Sequence, residues 1–405
     1  MRKLGGAVIH MQLSFNELKY VIGTPEIVEG MKDARVLRPF DDEVIAFLND
    51  LSGELRKNRE YPDVATFGFW CRKAAILQEK AKYDDINERF GKGVVFHSTP
   101  SNVPVNFAFS FAAGLLAGNA NIVRLPGKPF EQVNIISNAI NKLLSDKHMN
   151  IAPYIVFVKY PPVKEISDSF SALCNVRVIW GGDMTVAELR QSKIPARTTE
   201  ITFADRHSIA VIDADAYLKF ERKDTIIQNF YNDTYYTDQN ACTSPRIIFW
   251  KGDKKEEAKK DFWNRVHELV KSKYDLAPVQ SVGKLSAMYS VAANKAVKLE
   301  DSDDMFITRL NVDEIDRDLM NYKYNSGFYF EKDINSLSEI VDVCDVRCQT
   351  LTYFGVSEEE FRSFLDESRP FGIDRIVPMG KSMDFALIWD GYDLVRQMSR
   401  RVTVI

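Results

Sequence analysis

Tyr154-Ile155-Val156-Phe157-Val158, then a helix-forming stretch over 164–173, then Val176-Arg177-Val178-Ile179-Trp180-Gly181-Gly182: this run reads strand, helix, strand, glycine turn. The two strands are almost continuously apolar. A strand exposed on one face alternates, so continuous apolar runs joined by a helix predict a parallel sheet covered on both faces. The pattern extends towards the N-terminus. Asn121-Ile122-Val123 reads as a strand followed by a helix over 130–146. Gly93-Val94-Val95-Phe96 reads as a strand, followed by a loop bounded by Pro100 and Pro104 and an apolar helix to Ala117. Towards the C-terminus a short helix over 184–192 leads to a strand from Ile209 to Ile212.

The second half repeats the alternation. Helices are predicted over 216–236, 254–273, 284–298 and 335–342, and strands over Ile247–Trp250, Gly327–Phe330 and Thr350–Phe354. Before the first sheet, 41–57 reads as an amphipathic helix capped by Asp41 or Asp42, with Val44, Leu48, Leu51 and Leu55 on one face. Residues 63–90 read as further helix, with Trp70, Ala74, Leu77 and Ala81 on one side. The last residues, Arg401-Val402-Thr403-Val404-Ile405, alternate like an edge strand. Such a strand pairs either within its own subunit or with another subunit.

The 405 residues exceed the usual single-domain size, so two domains are expected. With 45% apolar and 27% charged residues the chain can bury a large core and stay soluble. Its 53 basic and 57 acidic side chains nearly balance, which argues against a nucleic-acid binder. The longest apolar stretch, Phe107 to Ala117, is too short for a membrane span. Met1-Arg2-Lys3-Leu4 opens no signal-peptide pattern, and a cytoplasmic protein is expected. Five cysteines suit a reducing compartment better than a disulfide framework. Cys71 and Cys174 look like packing residues. Cys344 and Cys348 lack a second ligand pair, and no two histidines share helical spacing, so no metal site is expected.

Three segments carry side chains suited to chemistry. Cys242 lies in Thr237-Asp238-Gln239-Asn240-Ala241-Cys242-Thr243-Ser244-Pro245-Arg246, between a helix and a strand. A thiolate there would attack carbonyl carbon readily; an inert buried cysteine is the competing reading. Asn102, in His97-Ser98-Thr99-Pro100-Ser101-Asn102-Val103-Pro104, is placed either to donate to an oxyanion or to cap the next helix. Gly181-Gly182-Asp183-Met184-Thr185 follows a strand and opens a helix. That is where open parallel sheets take nucleotides, although the segment is not G-x-G-x-x-G.

Together these segments resemble the LuxC-type acyl-CoA reductases of the aldehyde dehydrogenase superfamily. The resemblance covers about 90–405. Asn102-Val103-Pro104 with Gly118-Asn119 and Val123-Arg124-Leu125-Pro126 carries part of it. The nucleophile segment Asp238–Pro245 carries the second part. The third is Phe371-Gly372-Ile373-Asp374-Arg375-Ile376-Val377-Pro378 through Trp389-Asp390-Gly391-Tyr392-Asp393-Leu394.

The resemblance implies an aldehyde-dehydrogenase-like α/β fold of two Rossmann-like domains plus a C-terminal bridging or oligomerisation strand. The bounds expected are 1–207 for the NADP(H)-binding domain with its helical N-terminal segment, 208–385 for the catalytic domain, and 386–405 for the tail. It implies Cys242 as the acylated nucleophile, Asn102 as the oxyanion donor, and Gly181, Gly182 and Thr185 at the cofactor. Arg124 stands where the superfamily has lysine, and an arginine suits a 2′-phosphate, hence NADPH. Lys128 is a possible assistant or a solvated charge.

The implied reaction is reduction of an acyl thioester to an aldehyde. The donor is acyl-CoA or an acylated partner protein of the acyl-protein synthetase kind, and a homo-oligomer (dimer or tetramer) is expected. The water-activating glutamate of hydrolytic relatives has no good counterpart: Glu200 falls one or two residues off. His207 is the remaining acid–base candidate, with a structural histidine as the alternative. An oxidative aldehyde dehydrogenase and a non-catalytic acyl carrier are the rival functions.

Overall fold

The computed structural model describes residues 18–100, 103–300, 302 and 304–405. The chain forms two compact units, Met1–Ala204 with Tyr392–Ile405, and Asp205–Gly391. These bounds differ by a few residues from those expected from sequence, and the tail joins the first unit.

The first unit contains β1 (Lys19–Ile22), β2 (Arg89–Gly91), β3 (Val94–Ser98), β4 (Ala120–Arg124), β5 (Ile155–Lys159), β6 (Val176–Trp180) and β7 (Thr199–Phe203). Among the described residues, six of these form a sheet in the order β1-β5-β4-β3-β6-β7. All pairs are parallel except β1 with β5. From β3 the chain steps outward through β4 and β5. It then returns to the other side of β3 as β6. The carboxyl ends of β3 and β6 therefore flank a topological switch point, the usual ligand crevice of such sheets.

The helix predicted over 41–57 forms over Asp42–Leu55 with Asp41 as its cap, the Asp41 side chain accepting from the Glu43 N–H at 3.0 Å. Val44, Leu48, Leu51 and Leu55 are all buried, as their spacing required. The single helix expected over 63–90 is instead broken. Helices Pro62–Trp70 and Lys73–Lys80 are separated at Arg72, whose backbone is extended. The Asn49 side chain accepts from the Lys73 N–H at 3.0 Å and so caps the second helix from outside. Residues 89–91 then become β2. Its partner is Ser399–Arg401 in antiparallel register, at the far end of the chain. The terminal edge strand predicted over Arg401–Ile405 does not form as such: the strand ends at Arg401, pairs inside its own unit, and 402–405 lie beyond it.

The second unit contains β8 (His207–Asp213), β9 (Pro245–Lys251), β10 (Val297–Leu299), β11 (Thr308–Val312), β12 (Phe328–Asp333), β13 (Cys348–Phe354) and β14 (Arg375–Pro378). They make a sheet in the order β10-β11-β12-β9-β8-β13-β14, parallel except for β10 with β11. Ile209 and Val211 enter one apolar core and Ala210 and Ile212 another, one on each face. That explains why β8 reads as continuously apolar. β1, β2, β7, β10, β11 and β14 are not among the strands expected from sequence. β7 and β11 carry Glu200, Arg309 and Asn311 within the strand, so neither shows the apolar run that marks its neighbours. The expected α/β class with two parallel-sheet domains is the observed one.

Candidate active site

The nucleophile segment enters β9 from its amino end. Helix Lys223–Asp233 and a 3-10 turn over Tyr235–Thr237 lead into Asp238 and Gln239, both left-handed with φ of 55° and 57°. Two such residues in succession cost of order 1 kcal/mol each, so the surroundings must hold them.

They do so densely. The Gln239 side chain accepts from the backbone N–H groups of Gly327 and Phe328 at 3.0 and 3.2 Å. It donates to the carbonyls of Pro245 and Phe328 at 3.0 and 3.1 Å. Asp238 accepts from Ser326 at 2.9 Å, from Gln280 at 3.0 Å and from the Tyr274 hydroxyl. Arg246, buried, donates to the Gln239 carbonyl, the Tyr324 carbonyl and, at 2.7 Å, Asn325 Oδ1. Ser208 Oγ donates to the Cys242 carbonyl at 2.7 Å. A loop pinned at both ends presents one side chain in a fixed place. Cys71, Cys174, Cys344 and Cys348 are buried, whereas Cys242 is partly exposed.

Burial pushes the Cys242 thiol up to about 12, with the charge of Asp390 adding to it; its own backbone N–H, Arg206 and Gln349 pull the other way. The sulfur therefore rests as a thiol. A thiolate is the reactive form, so attack on a carbonyl requires the proton to leave. Gln349 and Asp390 are the two site residues that sequence reasoning missed. Asp390 stood inside the tail that carried the family resemblance, and its Asp-Gly pair marks a turn; Gln349, inside an apolar strand, gave no signal.

His207 opens β8. Its ring is buried, its Nε2 has no hydrogen-bond partner among the described groups, and burial lowers its pKa to about 4. The charges acting on it are those of Asp345, Lys323 and Arg347. Such a ring is neutral at pH 7. Neutral, it is a very weak acid, and it has little affinity for a proton from a thiol near 12, so the expected acid–base role does not suit these surroundings.

Glu200 also departs from a base. Burial pushes its carboxyl up, but hydrogen bonds from Arg190 and Arg177 outweigh this and hold it below its usual range. Arg177, itself buried, donates Nε–H to Glu200 at 2.9 Å and completes its bonding with Ser171 Oγ and the carbonyls of Leu189 and Ser192. Glu200 is the counter-ion of a buried arginine.

In the first unit the predicted cofactor residues gather at carboxyl ends of strands. Gly181 and Gly182 follow β6, and Gly182 precedes the helix Asp183–Leu189. A Cβ on Gly181 would stand 2.9 Å from the Thr185 side chain, so the turn closes only with glycine there. Arg124 ends β4, one strand from the switch point. Its guanidinium lies 4.6 Å from the Tyr160 ring centroid, a stacking that orients it. The chemistry of this set fits an anionic dinucleotide: a tight backbone turn and an oriented cation at strand ends. Beneath it, His97 is locked between Ser110 at 2.8 Å and Asn121 at 3.0 Å, and Trp180 donates to the same Ser110 at 2.9 Å. This ties β3, β4 and β6 together. Asn102 lies outside the described residues.

No group of metal-ligating side chains occurs among the described residues, and no helix there is long and apolar enough to cross a membrane.

Residues 73–401 match the acyl-CoA reductase (LuxC) family. The chain is similar to the long-chain acyl-protein thioester reductase of Vibrio harveyi, 24% identical over 325 residues, covering 78% of this chain and 64% of that one. It thus spans less than two thirds of that relative's length. Among solved structures it resembles an oxidoreductase from Marinobacter aquaeolei, with a TM-score of 0.63, 13% identity and coverage of 93% and 89%. Lactaldehyde dehydrogenase from Escherichia coli gives a TM-score of 0.62, 11% identity and coverage of 96% and 95%. A 3,6-anhydro-L-galactose dehydrogenase in complex with NAP gives 0.63, 12%, and 96% of both chains. At these identities the structural likeness establishes an aldehyde-dehydrogenase-like fold.

Proposed function

Since this chain belongs to the acyl-CoA reductase (LuxC) family, we propose that it reduces a fatty acyl thioester to the aldehyde through an acyl group carried on Cys242. The observation that carries this reading is the loop around Cys242. Two left-handed residues and the hydrogen-bonded side chains of Asp238, Gln239 and Arg246 fix the place of the Cys242 side chain, in a residue that is partly exposed.

The deprotonated sulfur attacks the thioester carbonyl, the C–S bond to the donor breaks, and the donor leaves as thiolate. Thioester exchange is nearly isoenergetic, so the covalent step supplies geometry rather than driving force. The Cys242 backbone N–H can donate to the oxyanion. Asn102 is the second donor in this reading, on the resemblance to the family alone. Reduced nicotinamide, when bound, supplies the hydride that brings the acyl carbon to the aldehyde level. Collapse of the resulting thiohemiacetal frees the aldehyde and returns the sulfur.

Glu200, fully engaged by two arginines, has no capacity to activate water, which favours reduction of the acyl-enzyme over its hydrolysis. This argues against the oxidative aldehyde dehydrogenase reading. The donor is a CoA thioester or, as the name of the Vibrio relative suggests, an acylated protein. A homo-oligomer remains our expectation, tested by light scattering.

The cofactor in this reading is NADPH, held by Gly181, Gly182, Thr185 and Arg124. In Arg124→Ala, the ratio of kcat/KM for NADPH over NADH falls about tenfold or more, since one charge-assisted contact to a 2′-phosphate is lost. An unchanged ratio rejects that contact. The function itself is tested with an acyl-CoA series of increasing chain length, following NADPH consumption and trapping the aldehyde. No aldehyde from any acyl-CoA or acyl-protein donor rejects it.

A further inference from the structure

Lys284 lies on the helix Pro278–Asn294 and is fully buried. Its Nζ donates to the carbonyls of Met305, of Ser326 at 2.6 Å and of Phe306 at 3.4 Å, and among the described residues no carboxylate bonds to it. The two acids whose charges reach it are Asp304 and Asp238. Asp304 pairs instead with His267 at 2.8 Å and accepts from the Phe306 N–H at 3.0 Å. Burial lowers the Lys284 pKa to about 8, so at pH 7 it still carries three hydrogens for three acceptors. Burying a charge is costly, and an apolar side chain would fill the same space without that cost.

The carbonyls it serves belong to the support of the nucleophile loop. Ser326 and Gly327 are both left-handed, with φ of 60° and 84°, and they face the left-handed pair Asp238–Gln239. The Ser326 N–H donates to the Asp238 carbonyl at 3.3 Å and Ser326 Oγ donates to Asp238 Oδ1 at 2.9 Å. The Gly327 N–H donates to Gln239 Oε1 at 3.0 Å. The Phe306 carbonyl also accepts from the Tyr235 hydroxyl at 3.0 Å, and Tyr235 opens the 3-10 turn that leads into Asp238. A Cβ on Gly327 would overlap that hydroxyl, so the two segments pack closely. One turn before Lys284, on the same face of its helix, Gln280 donates to both carboxylate oxygens of Asp238 at 3.0 Å. Gln280 thus grips the first turn and Lys284 the second.

We propose that Lys284 is a positioning residue for Cys242: its ammonium holds the Ser326–Gly327 turn against the Asp238–Gln239 turn, and so fixes the loop that presents the sulfur. Three of these four left-handed residues are not glycine, so the two turns persist only where the surroundings hold them. Loss of the clamp on the Ser326 carbonyl releases one turn and, through its hydrogen bonds, the other. Cys242 follows in the same loop, and a nucleophile displaced by about 1 Å loses rate rather than substrate affinity.

The proposal rests on reading Cys242 as the acyl acceptor, but its first readout does not use acyl transfer. Amide hydrogen exchange is followed by mass spectrometry on the full chain. In Lys284→Met, peptides covering 236–246 and 324–328 exchange about tenfold faster, while peptides from β8 and β13 keep the parent rate. A role confined to overall stability speeds every peptide by one factor or none. Lys284→Gln, which keeps an N–H donor, recovers part of the protection. The second readout is single-turnover acylation by acyl-CoA. At saturating donor the rate falls about tenfold in Lys284→Met, and the half-saturating concentration stays at the parent value. Unmoved exchange at 236–246, or uniform acceleration of all peptides, overturns the proposal. So does a loosened loop in an enzyme that acylates at the parent rate. Where thermal unfolding shows that Lys284→Met fails to fold, Lys284→Gln takes its place, with a loop-selective acceleration of about threefold expected. A selectively loosened loop in a protein whose parent forms no acyl-enzyme rejects the function and keeps the clamp. An acylating parent whose loop is unmoved by the substitution does the reverse.

Discussion

In Cys242→Ser, radiolabel from acyl-CoA no longer accumulates on the protein, and aldehyde formation falls at least about a thousandfold. A serine hydroxyl is the weaker nucleophile, and activating it needs a strong neighbouring base. The structure offers none: Asp390, the carboxylate whose charge acts on this sulfur, has its pKa raised to about 6 and is engaged by the Gln349 amide, far too weak a base to ionise a hydroxyl, and His207 is a neutral ring with its pKa near 4. The substitution is nearly isosteric at a partly exposed position. The loop's hydrogen bonds through Gln239, Asp238 and Arg246 do not involve the sulfur. Unfolding temperature should therefore change little, which separates lost chemistry from lost fold. The measurement is acyl label retained after denaturing precipitation, without cofactor. Label surviving in the variant as in the parent rejects Cys242 as acyl acceptor.

Glu200→Gln has its large effect on stability instead. It leaves the Arg177 guanidinium, 2% exposed, without its counter-ion. Breaking a buried pair on one side costs about 3–5 kcal/mol, because the remaining charge stays desolvated. In a unit of this size that lowers the unfolding temperature by about 10 °C. The same variant answers a chemical question. If Glu200 activated water, hydrolysis of the preformed acyl-enzyme would slow in Glu200→Gln. The expected result is an unchanged hydrolysis rate with a clear loss of thermal stability. A slowed hydrolysis with unchanged stability would reverse the assignment.

Much of the architecture was legible because it follows from local pattern. The strands β3 to β6 and β8, β9 and β13 are buried on both faces, so their apolar runs need no partner to be recognised. The helix over 164–173 falls where its pattern predicts. Cys242 was marked as the candidate sulfur by the resemblance of Asp238–Pro245 to the family's nucleophile segment. The remaining elements depend on partners distant in the chain. β2 is a strand because Ser399–Arg401 pairs with it, and the break at Arg72 is capped by Asn49.

Residue order alone therefore determined the class of fold and the chain order of its parallel strands, because burial on both faces is written locally; it also singled out Cys242 as the candidate sulfur. Only tertiary structure decided what surrounds that sulfur. Gln349 and Asp390, from β13 and from the end of the second unit, are hydrogen-bonded to each other and bear on the acidity of Cys242 although far from it in the chain. A thiol's acidity depends on desolvation and on charges within a few ångströms, quantities that no spacing in the sequence records.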